Sequence, residues 1–193
     1  AANDLPLLVE AMAKARGVAL TCDAVTYPDL SLEDHWRRGT QKQIARGGYT
    51  FVVLQQGPSS LPESRANLRQ WTQRFATEIR AAGATPALYT VWPDRSRRAY
   101  LRQVLESYRL ANQDVRGVLL AAGETWQAAW KADPDLGLYA ADGFHPSPLG
   151  TYAAAATIFG ALTGHSPIGL PARLRLRNGR EVRVDERQAA AIL

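Results

Sequence analysis

The chain has 193 residues, 46% of them hydrophobic, with a formal net charge of +5 and a single cysteine. That length accommodates one sizeable core and suggests one main domain, while the lone Cys22 excludes an internal disulfide and a cysteine-only metal site. No apolar stretch reaches membrane-spanning length, because the Ala-rich run near residue 155 is short and ends at Gly164.

The 11 prolines and 15 glycines are spread along the chain, so no low-complexity linker divides it. The basic excess gathers at Arg95, Arg97, Arg98 and Arg102 and again at Arg173, Arg175, Arg177, Arg180 and Arg183. Neither group comes with a zinc-binding pattern or an aromatic RNA-binding signature, so both read as solvated faces rather than a nucleic-acid surface.

In chain order, Asp4 is placed to cap a helix with Pro6 in its first turn, ended by Gly17. Val18 to Val25 reads as a strand. Ser31 followed by Asp34 resembles a capping box opening a helix that runs toward Ala45. Tyr49 to Leu54 is the clearest strand, since Phe51-Val52-Val53-Leu54 is the continuous apolar run of a strand covered on both faces.

The polar turn Gln55 to Ser60 follows, then a helix over Glu63 to Ala82 with Leu68, Trp71, Phe75 and Ile79 on one face. Strands over Ala87–Trp92 and Val118–Ala122 alternate with helices over Arg97–Gln113, Thr125–Lys131 and Leu149–Leu162. Such alternation predicts a parallel sheet with helices on both faces, and ligands in such sheets bind at the carboxyl ends of the strands. Gln55 to Ser60, Trp92-Pro93 and Gly123-Glu124 all follow strands directly. The tail Leu174 to Val184 alternates apolar and charged residues around Asn178-Gly179, a type I′ hairpin signal, and Glu186 to Leu193 reads as a short helix.

The segment Asp142-Gly143-Phe144-His145-Pro146-Ser147-Pro148-Leu149-Gly150 carries the chemistry. An acid and an imidazole stand three residues apart in a Gly/Pro-rich loop just before an apolar helix. A carboxylate so placed can hold the ring in one tautomer while the ring takes a proton from a nucleophile. Turn formation and helix capping are the structural alternatives for Asp142.

With Asp142-x-x-His145 before a C-terminal Ala-rich helix, and this order of strands and turns, the chain resembles the SGNH (GDSL-like) hydrolases over roughly residues 3 to 164. The resemblance implies a flavodoxin-like three-layer α/β/α fold with a parallel sheet. Residues 1–164 form that domain, and residues 165–193 add a C-terminal β-hairpin and short helix. It implies ester cleavage by a Ser-His-Asp mechanism with Asp142 and His145 as acid and base.

In that family the nucleophilic Ser ends the first strand, and Asn3-Asp4-Leu5-Pro6 resembles the continuation just after it. The expectation is therefore a fragment lacking its N-terminal strand and Ser, inactive as it stands. Asp29 occupies the family's oxyanion Gly position. Gly57-Pro58-Ser59-Ser60 falls where the family has G-x-N-D, so Ser59 replaces an Asn donor and Gln56 is a second candidate.

The resemblance implies a small-molecule ester substrate, with no cofactor and no metal. His35, His145 and His165 form no metal-ligand spacing of their own. Two rival readings stand beside it. One is a hydrolase using Ser59, because Gly57-Pro58-Ser59-Ser60-Leu61 partly echoes the G-x-S-x-G elbow. The other is a non-catalytic carbohydrate- or ligand-binding relative, with Trp36, Trp92, Trp126 and Trp130 as sugar platforms where core packing is the default. Acyl and alcohol specificity, compartment and oligomeric state are left open by the sequence.

Overall fold

A computed structural model describes residues 2–192. Ala1 and Leu193, the outermost residues of the predicted opening loop and last helix, lie outside the described residues. The protein is α/β, with a three-stranded parallel sheet flanked by helices. Its contacts divide it into a unit of residues 27–93 and 97–120 and a unit of residues 1–26, 94–96 and 121–193.

The first unit holds the sheet. Strands β1 (Phe51–Leu54), β2 (Thr85–Tyr89) and β3 (Val118–Leu120) lie in the order β1-β2-β3. All pairs are parallel, with Val53 opposite Ala87 and Leu88 opposite Leu119. Helix α2 (Leu32–Arg37) starts in the predicted capping box, with Asp34 N donating to Ser31 Oγ at 3.2 Å and Ser31 N to Asp34 Oδ2 at 2.9 Å. The helix expected to continue to Ala45 instead breaks at Gly39, whose φ of 85° no helix accommodates, and resumes as α3 (Gln41–Ile44).

Helix α4 (Pro62–Ala81) buries Leu68, Trp71, Phe75 and Ile79, the stripe its sequence spacing predicts. Helix α5 (Leu101–Val115) buries Val104, Leu105, Tyr108 and Ala111, and both helices pack on β2. Helix α5 ends at Arg116 in the left-handed region, followed by Gly117. A side chain on Gly117 would meet the Pro86 carbonyl at 2.7 Å.

Among the described residues β1 pairs with β2 alone, and Val53 is 43% accessible, so the face that carries it is not covered as the continuous apolar run predicts. A continuous apolar strand therefore lies at an open sheet edge, which natural sheets ordinarily shield.

The second unit is built on α7 (Pro148–Thr163), whose residues Leu149 to Ala156, Ile158 and Phe159 are buried. Ala153 to Ala156 let neighbouring backbones approach, and α1 (Leu5–Ala15), α6 (Ala122–Ala132) and α8 (Glu186–Ile192) pack against this helix. Gly150 is indispensable to the packing: a Cβ there would lie 2.2 Å from the Leu138 carbonyl oxygen and 2.5 Å from Trp126 Cζ2.

Three expectations for this unit need correcting. Residues 18–25 form neither helix nor strand among the described residues, so Val18–Val25 is not a strand here. Strand-forming residues without a ladder partner gain no hydrogen bonds from being extended. Asp4 sits at the start of α1 in a left-handed conformation and makes no side-chain cap. It binds Arg180 at 2.6 Å and Asn178 at 3.1 Å instead.

The third correction is the hairpin turn between β4 (Arg173–Arg175) and β5 (Glu181–Arg183). Gly179 has φ 86° while Asn178 does not share a positive φ, and Gly179 N donates to Leu176 O at 3.0 Å. The loop is the longer hairpin type with one left-handed glycine, not type I′. No helix among the described residues is long and apolar enough to cross a membrane.

Candidate active site

The loop before α7 folds tightly around one carboxylate. Asp142 Oδ1 accepts from the backbone N–H groups of Phe144 and His145, each at 2.9 Å. Its Oδ2 lies 2.7 Å from His145 Nδ1. The Asx turn and the acid–imidazole pair, alternatives in the sequence, are formed by the same side chain at once. The Phe144 amide, then the His145 ring, then the His145 amide hold the Asp142 carboxyl well below its usual range, at about 2.

An ionised carboxylate receives the Nδ1 proton and leaves the Nε2 lone pair of neutral imidazole free to act as a base. Nε2 has no hydrogen-bond partner among the described residues, and the His145 side chain is 59% exposed. The Phe144 ring stands edge-on to the imidazole, with centroids 5.0 Å apart.

The loop's own backbone is braced on several sides. Ala140 N donates to His145 O and Arg95 N to Gly143 O, both at 2.8 Å, while Tyr139 and Pro146 form an isolated antiparallel bridge. Gly143 occupies φ 70°, which permits this reversal. Ser147 caps α7 by accepting from Gly150 N at 3.0 Å and donates to Gly137 O at 2.7 Å. Asn3 closes the ring, donating its side-chain amide to Pro146 O and Thr151 Oγ1, both at 2.8 Å. Nothing in the sequence pattern pointed to these Asn3 contacts, 143 and 148 residues away in the chain.

Of the remaining predicted site residues, Gln56 and Ser59 come together after β1. Gln56 Nε2 donates to Ser59 Oγ at 3.0 Å, and Gln56 Oε1 accepts from Leu32 N at 3.1 Å. The buried Tyr108 hydroxyl pins the Gln56 backbone, donating to its carbonyl at 2.5 Å and accepting from its N–H at 3.1 Å. Burial pushes the Tyr108 phenol up, so it stays a neutral hydroxyl able to do both. Tyr108 is the residue bracing this candidate site that sequence reasoning missed, because its place on the buried stripe of α5 reads as core.

Ser59 is 1% exposed, and its hydroxyl is engaged with Gln56 Nε2 and the Gly57 carbonyl. A hydroxyl so enclosed has no approach for an ester, which counts against it as a nucleophile. Gly57 is exposed, and its N–H binds no acceptor among the described residues.

Asp29 lies in an exposed turn at φ 57°, a conformation that glycine adopts freely and Asp tolerates better than most residues. Its N–H also has no acceptor among the described residues. Of the four tryptophans weighed as sugar platforms, Trp92, Trp126 and Trp130 are buried, and the half-exposed Trp36 packs on Trp71 and Phe75. All four serve the cores.

No protein-family model matches the chain, and no curated protein matches it significantly. Solved structures do match. A protein from Slackia heliotrinireducens, provisionally classed as an SGNH hydrolase, shares 25% identity at TM-score 0.65, over 83% of this chain and 92% of its own. A DUF4886 family protein from Bacteroides uniformis gives TM-score 0.72 at 16% identity, over 95% and 84% of the two chains. TesA gives 0.65 at 18%, over 83% and 87%.

The chain has the SGNH-hydrolase fold. In an SGNH-type fold the parallel sheet is flavodoxin-like. Gln55 to Ser60 and Thr90 to Pro93 lie at the carboxyl ends of β1 and β2, the edge where open α/β sheets bind ligands.

Proposed function

We propose that this chain belongs to a serine hydrolase of the SGNH type that cleaves carboxylic esters, carbohydrate O-acyl esters among them, with its nucleophilic Ser upstream of residue 1. The observation that carries the reading is the Asp142–His145 pair, whose 2.7 Å contact at Nδ1 leaves Nε2 outward as a base.

In the proposed reaction His145 Nε2 takes the proton of the Ser hydroxyl as its oxygen attacks the ester carbonyl. The tetrahedral oxyanion accepts hydrogen bonds from backbone amides, Asp29 and Gly57 being the proposed donors, with Gln56 and Ser59 bracing the turn that carries Gly57. Collapse expels the alcohol, which receives the proton back from His145. Water then repeats the cycle on the acyl-enzyme, and Asp142 orients the ring and stabilises its charged form throughout.

Three features support a strand and Ser before residue 1. Among the described residues the β1 edge is open and apolar, residues 18–25 have the composition of a strand but form no ladder, and Asn3 is tied to Pro146, the residue after His145. A chain entering at Asn3 is thereby delivered to the catalytic loop.

The test is ester hydrolysis and covalent labelling by a serine-directed fluorophosphonate, on the protein carrying its upstream coding sequence. Labelling at an upstream Ser, with hydrolysis lost in His145→Ala, is the expected result. Hydrolysis dependent on His145 by residues 1–193 alone, or an upstream strand without Ser, would sink the proposal. Ligand binding without labelling would transfer support to the non-catalytic alternative.

A further inference from the structure

Arg95 is the arginine whose backbone is bonded to the loop that carries Asp142 and His145. Arg37, Arg69, Arg173, Arg177 and Arg180 each pair with a carboxylate, at 2.5 to 3.0 Å. Arg95 pairs with no carboxylate among the described residues, yet it is fixed against the catalytic loop. Its N–H donates to Gly143 O at 2.8 Å, and its guanidinium lies over the Tyr139 ring, 5.4 Å from the centroid.

The side chain passes close to the loop itself. A Cβ on Gly143 would sit 3.5 Å from Arg95 Cβ and 3.9 Å from its Nε. The adjacent carboxylates are bonded to other groups. Asp94 turns its Oδ1 back to Ser96, accepting from N at 2.8 Å and Oγ at 2.6 Å. The low position of Asp142 has its causes in Phe144 and His145, with no contribution from Arg95.

An exposed guanidinium held over an aromatic ring and paired with no carboxylate among the described residues is a ready fork for a carboxylate or phosphate. We infer that Arg95 is a specificity-determining residue that selects esters bearing an anionic group on the alcohol part. The assignment to the alcohol side rests on the serine-hydrolase reading. His145 must hand its proton to the departing alcohol oxygen, so that part of the ester lies against the loop that carries His145 and Gly143. Arg95, tethered to Gly143, meets substituents there rather than on the acyl group.

Two measurements separate this inference from the reading on which it rests. The first needs no turnover. 4-Hydroxybenzoate and its uncharged analogue 4-hydroxybenzamide are titrated into the 193-residue chain while the NMR signals of the Phe144 amide and the His145 ring are followed. The expected result is a saturable shift with the anion, roughly tenfold weaker with the amide, consistent with one partly exposed charge pair. Arg95→Gln abolishes that difference and Arg95→Lys keeps part of it.

The second compares kcat/KM for 4-acetoxybenzoate and 4-acetoxybenzamide, each releasing acetate and the phenol, in the protein with its upstream sequence. The anion-to-amide ratio falls about tenfold in Arg95→Gln and is unchanged in Arg173→Gln, a cation removed from the hairpin. Equal shifts with both probes, or a ratio lost equally in Arg173→Gln, would overturn the role of Arg95. Anion-selective shifts without hydrolysis of either ester would leave the anion subsite standing and defeat the hydrolase reading and, with it, the assignment to the alcohol side.

Discussion

Asn3 donates its side-chain amide to the carbonyl oxygen of Pro146 at 2.8 Å, so the start of the described chain is bound to the residue that follows His145. The same amide also reaches Thr151 in the first turn of α7. Asn3 itself holds φ 52°, a conformation Asn adopts more readily than most residues. One side chain thereby fixes the loop, the helix start and the entering backbone together.

Replacing Asn3 with Ala is expected to cost ~1–2 kcal/mol of stability, because two partly buried acceptors lose their donor. On the serine-hydrolase reading proposed above, it should also lower kcat by about tenfold or more with little change in KM in the protein carrying its upstream coding sequence, since the nucleophile loses its placement relative to His145. Urea denaturation and steady-state kinetics on the same variant read the two effects separately. An unchanged kcat beside the stability loss would mean that Asn3 only braces the loop.

Gly150 is expected to be intolerant of any side chain. The methyl of Gly150→Ala would strike the Leu138 carbonyl and the Trp126 ring, neither of which can swing aside, because Trp126 Nε1 is already bonded to Gly150 O at 3.1 Å. Overpacking of this kind costs ~2–3 kcal/mol. Thermal unfolding should therefore show a Tm lower by ~5–10 °C. A Gly150→Ala protein with wild-type Tm would contradict the packing described for α7.

The sequence was most legible where a pattern is local. The Ser31–Asp34 capping box and the Asp142–His145 contact each span three residues, so spacing alone predicts the geometry. The stripe Leu68, Trp71, Phe75 and Ile79 is equally local, and it is buried as expected. What failed was set by partners elsewhere. Val18–Val25 has the composition of a strand, but a strand exists only in a ladder, and none forms there. Tyr108 looked like core, and its polar end was found only through Gln56, 52 residues away. Gln56 itself reads as a turn residue, and its bond to Leu32 N is invisible without the fold.

The Asp142 carboxyl titrates far below an unfolded Asp, near 3.9, because two amides and an imidazole hold it at about 2. Its contribution to stability is thus present above about pH 4 and is lost as the pH falls through about 2. Asp142→Asn should flatten this limb of an acid-denaturation curve between pH 5 and pH 2. In the extended protein it should lower kcat at neutral pH by ~10³–10⁴, since an amide at this position favours the wrong imidazole tautomer. A kcat within a few-fold of wild type would remove Asp142 from the acid–base machinery.

Cys22 lies in the irregular segment 18–25, its N–H bonded to Glu10 Oε1 at 2.6 Å. Burial, reinforced by the Glu10 carboxylate, raises its thiol from 9.0 to about 11. At pH 8 the thiolate fraction is then on the order of a hundredfold smaller than for the free side chain, and iodoacetamide should react correspondingly slowly. Glu10→Gln should accelerate alkylation. Rapid labelling of the wild-type protein would show that the segment does not stay where Glu10 holds it.

Asp29 places a carboxylate beside an amide proposed to face a developing oxyanion, in a backbone conformation of φ 57° that suits glycine. Asp29→Gly keeps the amide, removes the adverse charge and relieves a left-handed conformation costing a non-glycine residue up to ~1–2 kcal/mol. Greater freedom of the unfolded chain offsets part of that gain, so stability should change little. Activity is the informative readout: kcat for a neutral ester should rise by roughly tenfold in the extended protein, the scale of a modest gain in oxyanion stabilisation. Asp29→Asn separates the causes, because it removes the charge while leaving a left-handed side chain. Equal gains in both variants assign the effect to electrostatics, a gain in Asp29→Gly alone assigns it to backbone geometry, and a loss in both would mean that the carboxylate itself serves the substrate.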